Sequence, residues 1–303
     1  RQGGQRLEAD VISLRELEFL ASLARRKHFA RAAEDCGVSQ PAFSMGIRKL
    51  EEKLDAPIVK RGNRFQGFTA EGDMLVRHAR KIVDNVKILE QEFRSAKGEI
   101  TGNLVLAAVP TAVIFAARAV KTLRARHPGV TVSIQTATSL AIQQGLENGL
   151  FDAGITYGEG VSRDLLRVED LYGETYTLLV PVHLAPRLTG DVTWTEAAQL
   201  PLTLLEPEMQ NRRIIDKVFN ELGLMPTVSV ETSGFIAAIV LASEGMSATV
   251  VPDHLIEAFG QPEGTVALPL TEPVLEKNVT VVTPMRDPSL PTVDALRRAL
   301  MVR

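Results

Sequence analysis

Two side chains near the N-terminus have the chemistry needed to recognise nucleic-acid groups. Gln40 carries an amide that can pair with an adenine edge, and Arg48 carries a guanidinium that can pair with guanine or phosphate. Pro41 and Ala42 can contact a thymine methyl group. The alternatives are a surface amide at Gln40 and an ordinary solvated face at Arg48.

Charge is distributed unevenly along the chain. Residues 1–98 hold 19 lysines and arginines against 14 aspartates and glutamates, a net charge of +5, whereas residues 99–303 have a net charge of −8. A basic N-terminal third favours an anion-binding module such as a DNA reader. The signal is weak by itself, because +5 also fits an ordinary solvated surface.

Common catalytic motifs are missing from the sequence. It has no P-loop, GxGxxG, HExxH or GxSxG pattern, and its five histidines are scattered without ligand spacing. The single cysteine, Cys36, excludes an internal disulfide and a multi-cysteine metal site. We expect Cys36 to be a small buried hydrophobe, with a redox switch as the alternative. The sequence therefore predicts neither an enzyme nor a bound cofactor or metal.

Length and composition indicate a globular protein of two or three domains. The chain has 303 residues, of which 45% are hydrophobic and 23% charged. No apolar run reaches the roughly 18 residues of a membrane helix. Residues 1–13 form an N-terminal extension. Its first ten residues, Arg1 to Asp10, are polar and lack the apolar core of a secretory signal, so we expect no membrane association and a cytoplasmic location.

Helical periodicity dominates the first hundred residues. Three short helices are predicted, the third capped by Ser39 and buried along Phe43, Ile47, Leu50 and Leu54. A basic two-stranded ribbon over 58–68 follows them. The next helix runs from Ala70 to about Lys97 with an apolar residue at alternating steps of four and three, namely Leu75, Ala79, Ile82, Val86, Leu89, Phe93 and Ala96. This heptad spacing predicts dimerisation, with packing on the helix's own domain as the alternative.

The segment 14–72 resembles the DNA-binding domain of LysR-type transcriptional regulators. The resemblance is carried by LRELEF from Leu14, by Ala32-Ala33, by GVSQPAFS from Gly37, by IRKLE from Ile47, and by Arg61, Arg64, Thr69 and Gly72. It implies a winged helix-turn-helix over 14–69, a linker and dimerisation helix over 70–98, and an effector-binding domain over 99–303. The family also implies a homodimer paired through the linker helix, assembled as a homotetramer.

The resemblance assigns DNA contacts to the recognition helix and the wing. In such a module the recognition helix enters the major groove, and the wing lies along the minor groove or the phosphates. The implied contact residues to double-stranded operator DNA are Ser39, Gln40, Pro41, Ala42, Ser44, Arg48, Lys60, Arg61 and Arg64. A pure helix cap at Ser39 and an ordinary charged hairpin over the wing are the alternatives.

After residue 98 the sequence alternates short β runs with helices, which is the pattern of an α/β fold. The rear half resembles a two-lobed, type 2 periplasmic-binding-protein-like domain. The expected lobe one comprises 102–165 and 275–303, and lobe two comprises 166–274. The expected effector-binding residues lie at helix starts facing the cleft, and most of them are polar. They are Pro110, Thr111, Thr138, Ser139, Asn211, Arg212, Ser233 and Phe235.

Hydroxyls and amides at helix N-termini favour a small anion, so we expect a carboxylate effector in this cleft. The hydroxyls of Thr111, Ser139 and Ser233 can instead be simple N-caps, and Asn211 and Arg212 can be plain surface. Three functions remain open. They are an effector-responsive regulator, a DNA-binding protein whose rear domain only assembles subunits, and an enzyme or solute-binding protein on the same fold.

Overall fold

The structure is a computed structural model that describes residues 11–60, 62, 64–96, 98–185 and 190–301. The chain forms two compact units. The first comprises residues 1–100 with 148–150 and 287–291, and the second comprises 101–147, 151–286 and 292–303. No helix in the described residues combines the length and apolar character that crossing a membrane requires.

The first unit is helical, as the sequence predicts. Its helices are α1 (Leu14–Arg26), α2 (Phe29–Asp35), α3 (Gln40–Leu54) and α4 (Ala70–Ser95). Helix α1 begins with a capping box, in which Ser13 and Glu16 satisfy each other's backbone amides. Helix α2 has no side-chain cap at His28, so its first turn lacks that stabilisation.

Two apolar clusters hold these helices together. Phe43 and Ile47 of α3 pack with Phe19 and Leu23 of α1, and Phe19 and Phe43 lie with ring centroids 4.8 Å apart. Leu20 of α1 belongs to a second cluster formed with α3 and the start of α4. Burial of these side chains fixes which face of each helix is left for solvent.

Gly72 lets the first turn of α4 approach the preceding segment closely. A Cβ atom at this position would lie 2.1 Å from the carbonyl oxygen of Ile58, a backbone atom that cannot move aside without distorting the chain. The Thr69 hydroxyl accepts a hydrogen bond from the Gly72 amide and donates one to the Pro57 carbonyl. These contacts join the long helix to the strand segment before it.

The second unit contains eleven strands and seven α-helices in its described part. The strands are β1 (Gly102–Ala108), β2 (Val130–Thr136), β3 (Ala153–Tyr157), β4 (Leu166–Glu174), β5 (Tyr176–Pro181), β6 (Val192–Thr193), β7 (Leu202–Leu205), β8 (Val228–Thr232), β9 (Ala248–Pro252), β10 (Thr265–Thr271) and β11 (Lys277–Pro284). The helices are α5 (Val113–Arg126), α6 (Ser139–Glu147), α7 (Trp194–Ala197), α8 (Gln210–Glu221), α9 (Phe235–Ser243), α10 (Asp253–Phe259) and α11 (Pro291–Leu300).

The strands form two sheets. Each sheet, together with the helices that follow its strands, makes up one lobe, and we call the two lobe one and lobe two. Lobe one has the order β2-β1-β3-β11-β4, and lobe two has the order β6-β10-β5-β9-β7-β8. Strands β1, β2 and β3 run parallel, as do β7, β8 and β9. The predicted two-lobed α/β architecture is therefore confirmed.

The expected boundary between the lobes is wrong at one strand. We assigned residues from 166 onward to lobe two, but β4 pairs along its length with β11 in lobe one. The chain crosses to lobe two between Glu174 and Tyr176. Strand β4 lies at the sheet edge and mixes buried with exposed positions, so it gives a weaker apolar signal than a central strand.

Candidate functional site

Helix α3 presents the predicted recognition residues on its exposed face. Ser39 is the N-cap, and its hydroxyl accepts a long hydrogen bond, 3.4 Å, from the Ala42 amide. Gln40, Pro41, Ala42 and Arg48 are exposed and Ser44 is half-buried, whereas the alternate face with Phe43 is buried in the domain. The helix therefore offers amide, apolar and cationic groups along one outward surface.

Gly46 explains how α3 packs so closely on α1. A Cβ atom there would lie 2.6 Å from two ring carbons of Phe19. A glycine in a helix interior lowers helix stability by about 1 kcal/mol relative to alanine. The close packing at this position therefore comes with a loss of helix propensity. The exposed Met45 beside it adds an apolar group to the outward surface.

The wing is a short hairpin held by phenylalanines. Val59 and Phe68 form an antiparallel bridge, and the Lys60 amide donates to the Gly67 carbonyl at 3.0 Å. Phe65 lies 5.0 Å from the Phe68 ring. Lys60 and Arg64 are exposed, so their charges are available to a partner. Arg61, the third predicted wing residue, lies outside the described residues.

The predicted seam of α4 divides into two parts. Ala79 is fully buried and Leu75 half-buried against α1, so the first part of the seam packs within its own domain. The alternative reading is thus correct for Ala79, which is unavailable to a second subunit. Farther along, Ile82 is 45% and Leu89 64% exposed. Val86 is half-buried and Phe93 is exposed.

Thr111 is buried at the junction of the two lobes and is not a helix cap. Its hydroxyl lies 3.2 Å from the Tyr157 hydroxyl, while its backbone carbonyl lies 2.7 Å from Nε2 of His254 in lobe two. Helix α5 begins after Ala112 without a side-chain cap, following the turn that contains Pro110. The simple N-cap alternative is therefore wrong for Thr111.

Thr138 and Ser139 have different roles at the start of α6. The Thr138 hydroxyl accepts from the Ala141 amide at 3.1 Å, which is the geometry of a capping residue. The Ser139 hydroxyl accepts a bond from Thr156 at 2.8 Å and does not cap the helix. Both residues are half-buried.

The predicted residues of lobe two differ sharply in their surroundings. Asn211 is 2% exposed, and neither its Oδ1 nor its Nδ2 has a hydrogen-bond partner among the described residues. Arg212 is already engaged, because its guanidinium donates to Asp216, Glu231 and the Leu205 carbonyl. Its guanidinium is therefore not available to bind a ligand carboxylate at the cleft.

Ser233 and Phe235 also differ in burial and in their surroundings. Ser233 is exposed, and the N-cap of α9 is Gly234, so the cap alternative does not apply to Ser233. Phe235 is buried in an apolar cluster that includes Leu205 and Leu255 of lobe two and reaches Ile114 of lobe one. Phe235 thus contributes an apolar wall at the junction.

The sequence analysis missed a buried carboxyl at this junction. Glu174 accepts hydrogen bonds at Oε1 from the hydroxyls of Tyr157, at 2.7 Å, and Tyr176, at 2.8 Å. Burial raises the pKa of Glu174, and the two phenol donors oppose that rise. The available signal was the alternation Tyr172-x-Glu174-x-Tyr176, which places three polar side chains on one face of an extended segment.

The described part of the chain contains no candidate metal site. There, no three histidine, cysteine, aspartate or glutamate side chains are grouped to hold an ion. Cys36 is half-buried, and burial raises the pKa of its thiol. A thiol held in its neutral form is a poor nucleophile.

Comparison with known proteins assigns both halves of the chain to one family. Residues 14–73 match the model of the bacterial regulatory helix-turn-helix protein, lysR family, and residues 97–302 match the LysR substrate binding domain. The chain belongs to the LysR family. It is a DNA-binding transcriptional regulator with an effector-binding domain, and not an enzyme.

Individual relatives agree with this assignment. The hydrogen peroxide-inducible genes activator of Haemophilus influenzae is 31% identical over 195 residues, which are 64% of this chain and 62% of that protein. The match thus spans less than two thirds of that relative.

Solved structures share the fold. A full-length OxyR variant from Pseudomonas aeruginosa superposes with a TM-score of 0.74 at 22% identity, covering 96% of this chain and 98% of that one. Full-length CbnR, solved with its target DNA, gives a TM-score of 0.61 at 20% identity over 95% of this chain and 100% of that one.

The buried Glu174 gives a testable pH dependence. The folded state holds this proton to a higher pH than the unfolded chain, so the group's contribution to the free energy of unfolding falls as pH rises from the unfolded pKa through the folded pKa. Glu174→Gln cannot ionise. We predict that the difference between its melting temperature and that of wild type increases as pH is raised above the pKa of a free glutamate, about 4.3. Thermal unfolding checks this, with the exposed Glu263→Gln as control. A difference that stays constant above that pH would contradict it.

Proposed function

We propose that α3 and the wing read operator DNA through the residues assigned by sequence. The exposed face of α3 carries this proposal, because Gln40, Ala42 and Arg48 point outward while Phe43 anchors the helix. In the major groove, Gln40 suits adenine and Arg48 suits guanine or phosphate. The exposed Lys60 and Arg64 suit the phosphates or the narrow minor groove beside them. We propose a cytoplasmic location on the same ground, because binding to chromosomal DNA requires it.

This assignment predicts a loss of DNA affinity without loss of fold. Arg48→Ala or Arg64→Ala should weaken binding to the protein's own promoter fragment by about tenfold or more. Loss of a phosphate contact should also reduce the slope of log affinity against log salt by about 1. A mobility-shift titration measures both. Arg118→Ala, an exposed arginine on α5 with the same charge change, should leave them unaltered. Wild-type affinity in both wing and helix variants would refute the placement.

A second copy of the chain is the proposed partner of α4. Its 26 residues extend about 39 Å at ~1.5 Å per residue. Ile82 and Leu89 follow the heptad spacing and are exposed, which a helix without a partner would not favour. We place the dimer contact over residues 82–93 and leave Ala79 to the domain core. Assembly of two such dimers into a homotetramer is the family-level extension of this proposal.

The proposed effector is a small carboxylate bound between the lobes. Thr111 and Ser139 contribute hydroxyls on the lobe one side, and Asn211 contributes an amide in the first turn of α8. The unpartnered Asn211 amide favours a ligand over a purely architectural rear domain, because buried amides are normally hydrogen-bonded. Effector binding would shift the population of lobe arrangements and so alter how the paired DNA-binding heads are spaced.

A cysteine-based response to peroxide is not favoured, although the name of the Haemophilus influenzae relative refers to hydrogen peroxide. The single Cys36 has no second cysteine in the chain with which to form a disulfide. Burial raises the pKa of its thiol and so disfavours the reactive thiolate. We therefore propose binding of a small molecule rather than oxidation.

The effector proposal predicts a specific loss at Thr111. Thr111→Val keeps the side-chain shape but removes the hydroxyl next to Tyr157. Calorimetry with a library of carboxylates should show affinity for the best binder falling about tenfold or more. Thr122→Val, which changes a threonine farther along α5, should retain that affinity. Unchanged affinity in Thr111→Val would remove Thr111 from the site.

A further inference from the structure

All three tyrosines of the chain lie around one buried carboxyl. Tyr157 and Tyr176 donate to Oε1 of Glu174, and Tyr172 stands two residues before Glu174 on β4. Glu174 is 1% exposed. We call Glu174 and these tyrosines the tyrosine cluster. The chain has only three tyrosines, and all three lie at the same point of the fold.

The tyrosine cluster lies where the chain passes from one lobe to the other. Strand β4 ends at Glu174 beside Lys277, on the edge of lobe one where β3 ends at Tyr157. Strand β5 begins at Tyr176, opposite Pro252, on the edge of lobe two where β7, β8 and β9 end. Ligands of open α/β sheets bind outside such strand ends.

Neighbouring groups connect this cluster to the proposed effector site. The Thr111 hydroxyl lies 3.2 Å from the Tyr157 hydroxyl, and His254 reaches the Thr111 carbonyl from lobe two. The His254 ring also packs against Tyr172, with centroids 5.5 Å apart. Asp253 is occupied, since it accepts from the hydroxyls of Thr175 and Thr177.

Two of the five polar side-chain oxygens of the tyrosine cluster have no hydrogen-bond partner among the described residues. They are Oε2 of Glu174 and the Tyr172 hydroxyl, and both are buried. Asn211, on the same strand-end edge of lobe two, likewise has an unpartnered donor and acceptor. Native proteins seldom leave buried polar atoms unpaired, so such atoms indicate a group that joins them.

The identity of these atoms restricts the ligand. Asn211 Oδ1, and Oε2 of Glu174 in its ionised form, require donors, whereas Tyr172 and Asn211 Nδ2 can donate. A plain carboxylate has acceptors only, so it would leave Asn211 Oδ1 unpaired, and beside an ionised Glu174 it would add a second negative charge. An amino or hydroxy acid carries both kinds of group.

We propose that the effector is an amino or hydroxy acid. Its amino or hydroxyl group donates a hydrogen bond to Oε2 of Glu174, and its carboxylate accepts hydrogen bonds from the Tyr172 hydroxyl and the Asn211 amide. This inference rests on the proposed effector function and specifies its ligand class. It assigns Glu174 as the residue that selects for the donor.

Matched acids test the selection on the full-length protein. The probes are propionate, lactate and alanine, then succinate, malate and aspartate, then benzoate, salicylate and anthranilate. Within each set only the donor group changes. Calorimetry should show at least one set in which a donor-bearing acid binds about tenfold or more tightly than its plain acid. Glu174→Gln should reduce that preference to below about threefold, and the exposed Glu263→Gln should keep it. Tyr172→Phe removes a donor to the ligand's acceptors, so it should weaken the plain and the donor-bearing acid alike.

The outcomes separate this inference from the function on which it rests. Equal affinity within every set that binds, or a preference that persists in Glu174→Gln, overturns the inference and leaves a carboxylate effector in place. If Glu174→Gln does not fold, Tyr172→Phe decides, because it removes only an unpartnered hydroxyl. A fall in affinity for the acids that bind supports the inference, and unchanged affinity overturns it.

If no acid binds, the carboxylate proposal fails and a crystal structure of the purified protein decides the ligand class. At better than about 2 Å, a bound small molecule with a donor on Oε2 supports the inference. A single water bridging Oε2 and Tyr172, or an unfilled site, overturns it.

Discussion

The packing of α3 against α1 is the interaction on which the DNA-binding function depends. A helix that reads bases must be rigid and must keep one face free, and both requirements are met by burying the other face. Phe43 and Ile47 lock α3 onto Phe19, and Gly46 permits the close approach. The outward groups then have fixed positions relative to each other, which is the condition for reading a sequence of bases.

Pairing of two such heads is the second constraint. A single recognition helix covers only a few base pairs, so useful specificity in a genome requires two heads held at a fixed spacing. In our proposal the exposed part of α4 provides that spacing through apolar contact with a second copy. The effector domain would then act on DNA by changing how the heads are held, which requires a junction that responds to a ligand.

The sequence predicted the front of the molecule well for identifiable reasons. Caps such as Ser39, the buried stripe through Phe43 and the family motifs are local signals, and the helices appear where expected. The alternation of β runs with helices after residue 98 was also visible, since strands such as β3 and β7 are short apolar runs. Edge strand β4 was placed in the wrong lobe because its mixed pattern does not reveal its partner β11, more than a hundred residues away.

The cleft was predicted less completely. Helix starts indicated Thr111 and Asn211, but capping could not be distinguished from other roles until the contacts of Thr111 were known. Glu174 was missed because its importance depends on Tyr157 and His254, which come from distant strands and helices. The seam on α4 was correct in spacing, yet spacing alone could not show that Ala79 faces its own domain.

The most direct test of the paired-head account is sedimentation of the full-length protein combined with binding to its own promoter fragment. The account predicts a dimer or larger assembly at micromolar concentration that binds the fragment. It also predicts that Leu89→Glu, a charge placed on the exposed stripe, dissociates the assembly and lowers affinity. Lys87→Gln, which makes the same change in net charge at an exposed position on the opposite side of the helix, should do neither. A wild-type protein that is monomeric at micromolar concentration and does not bind the fragment in low-salt buffer would contradict the account.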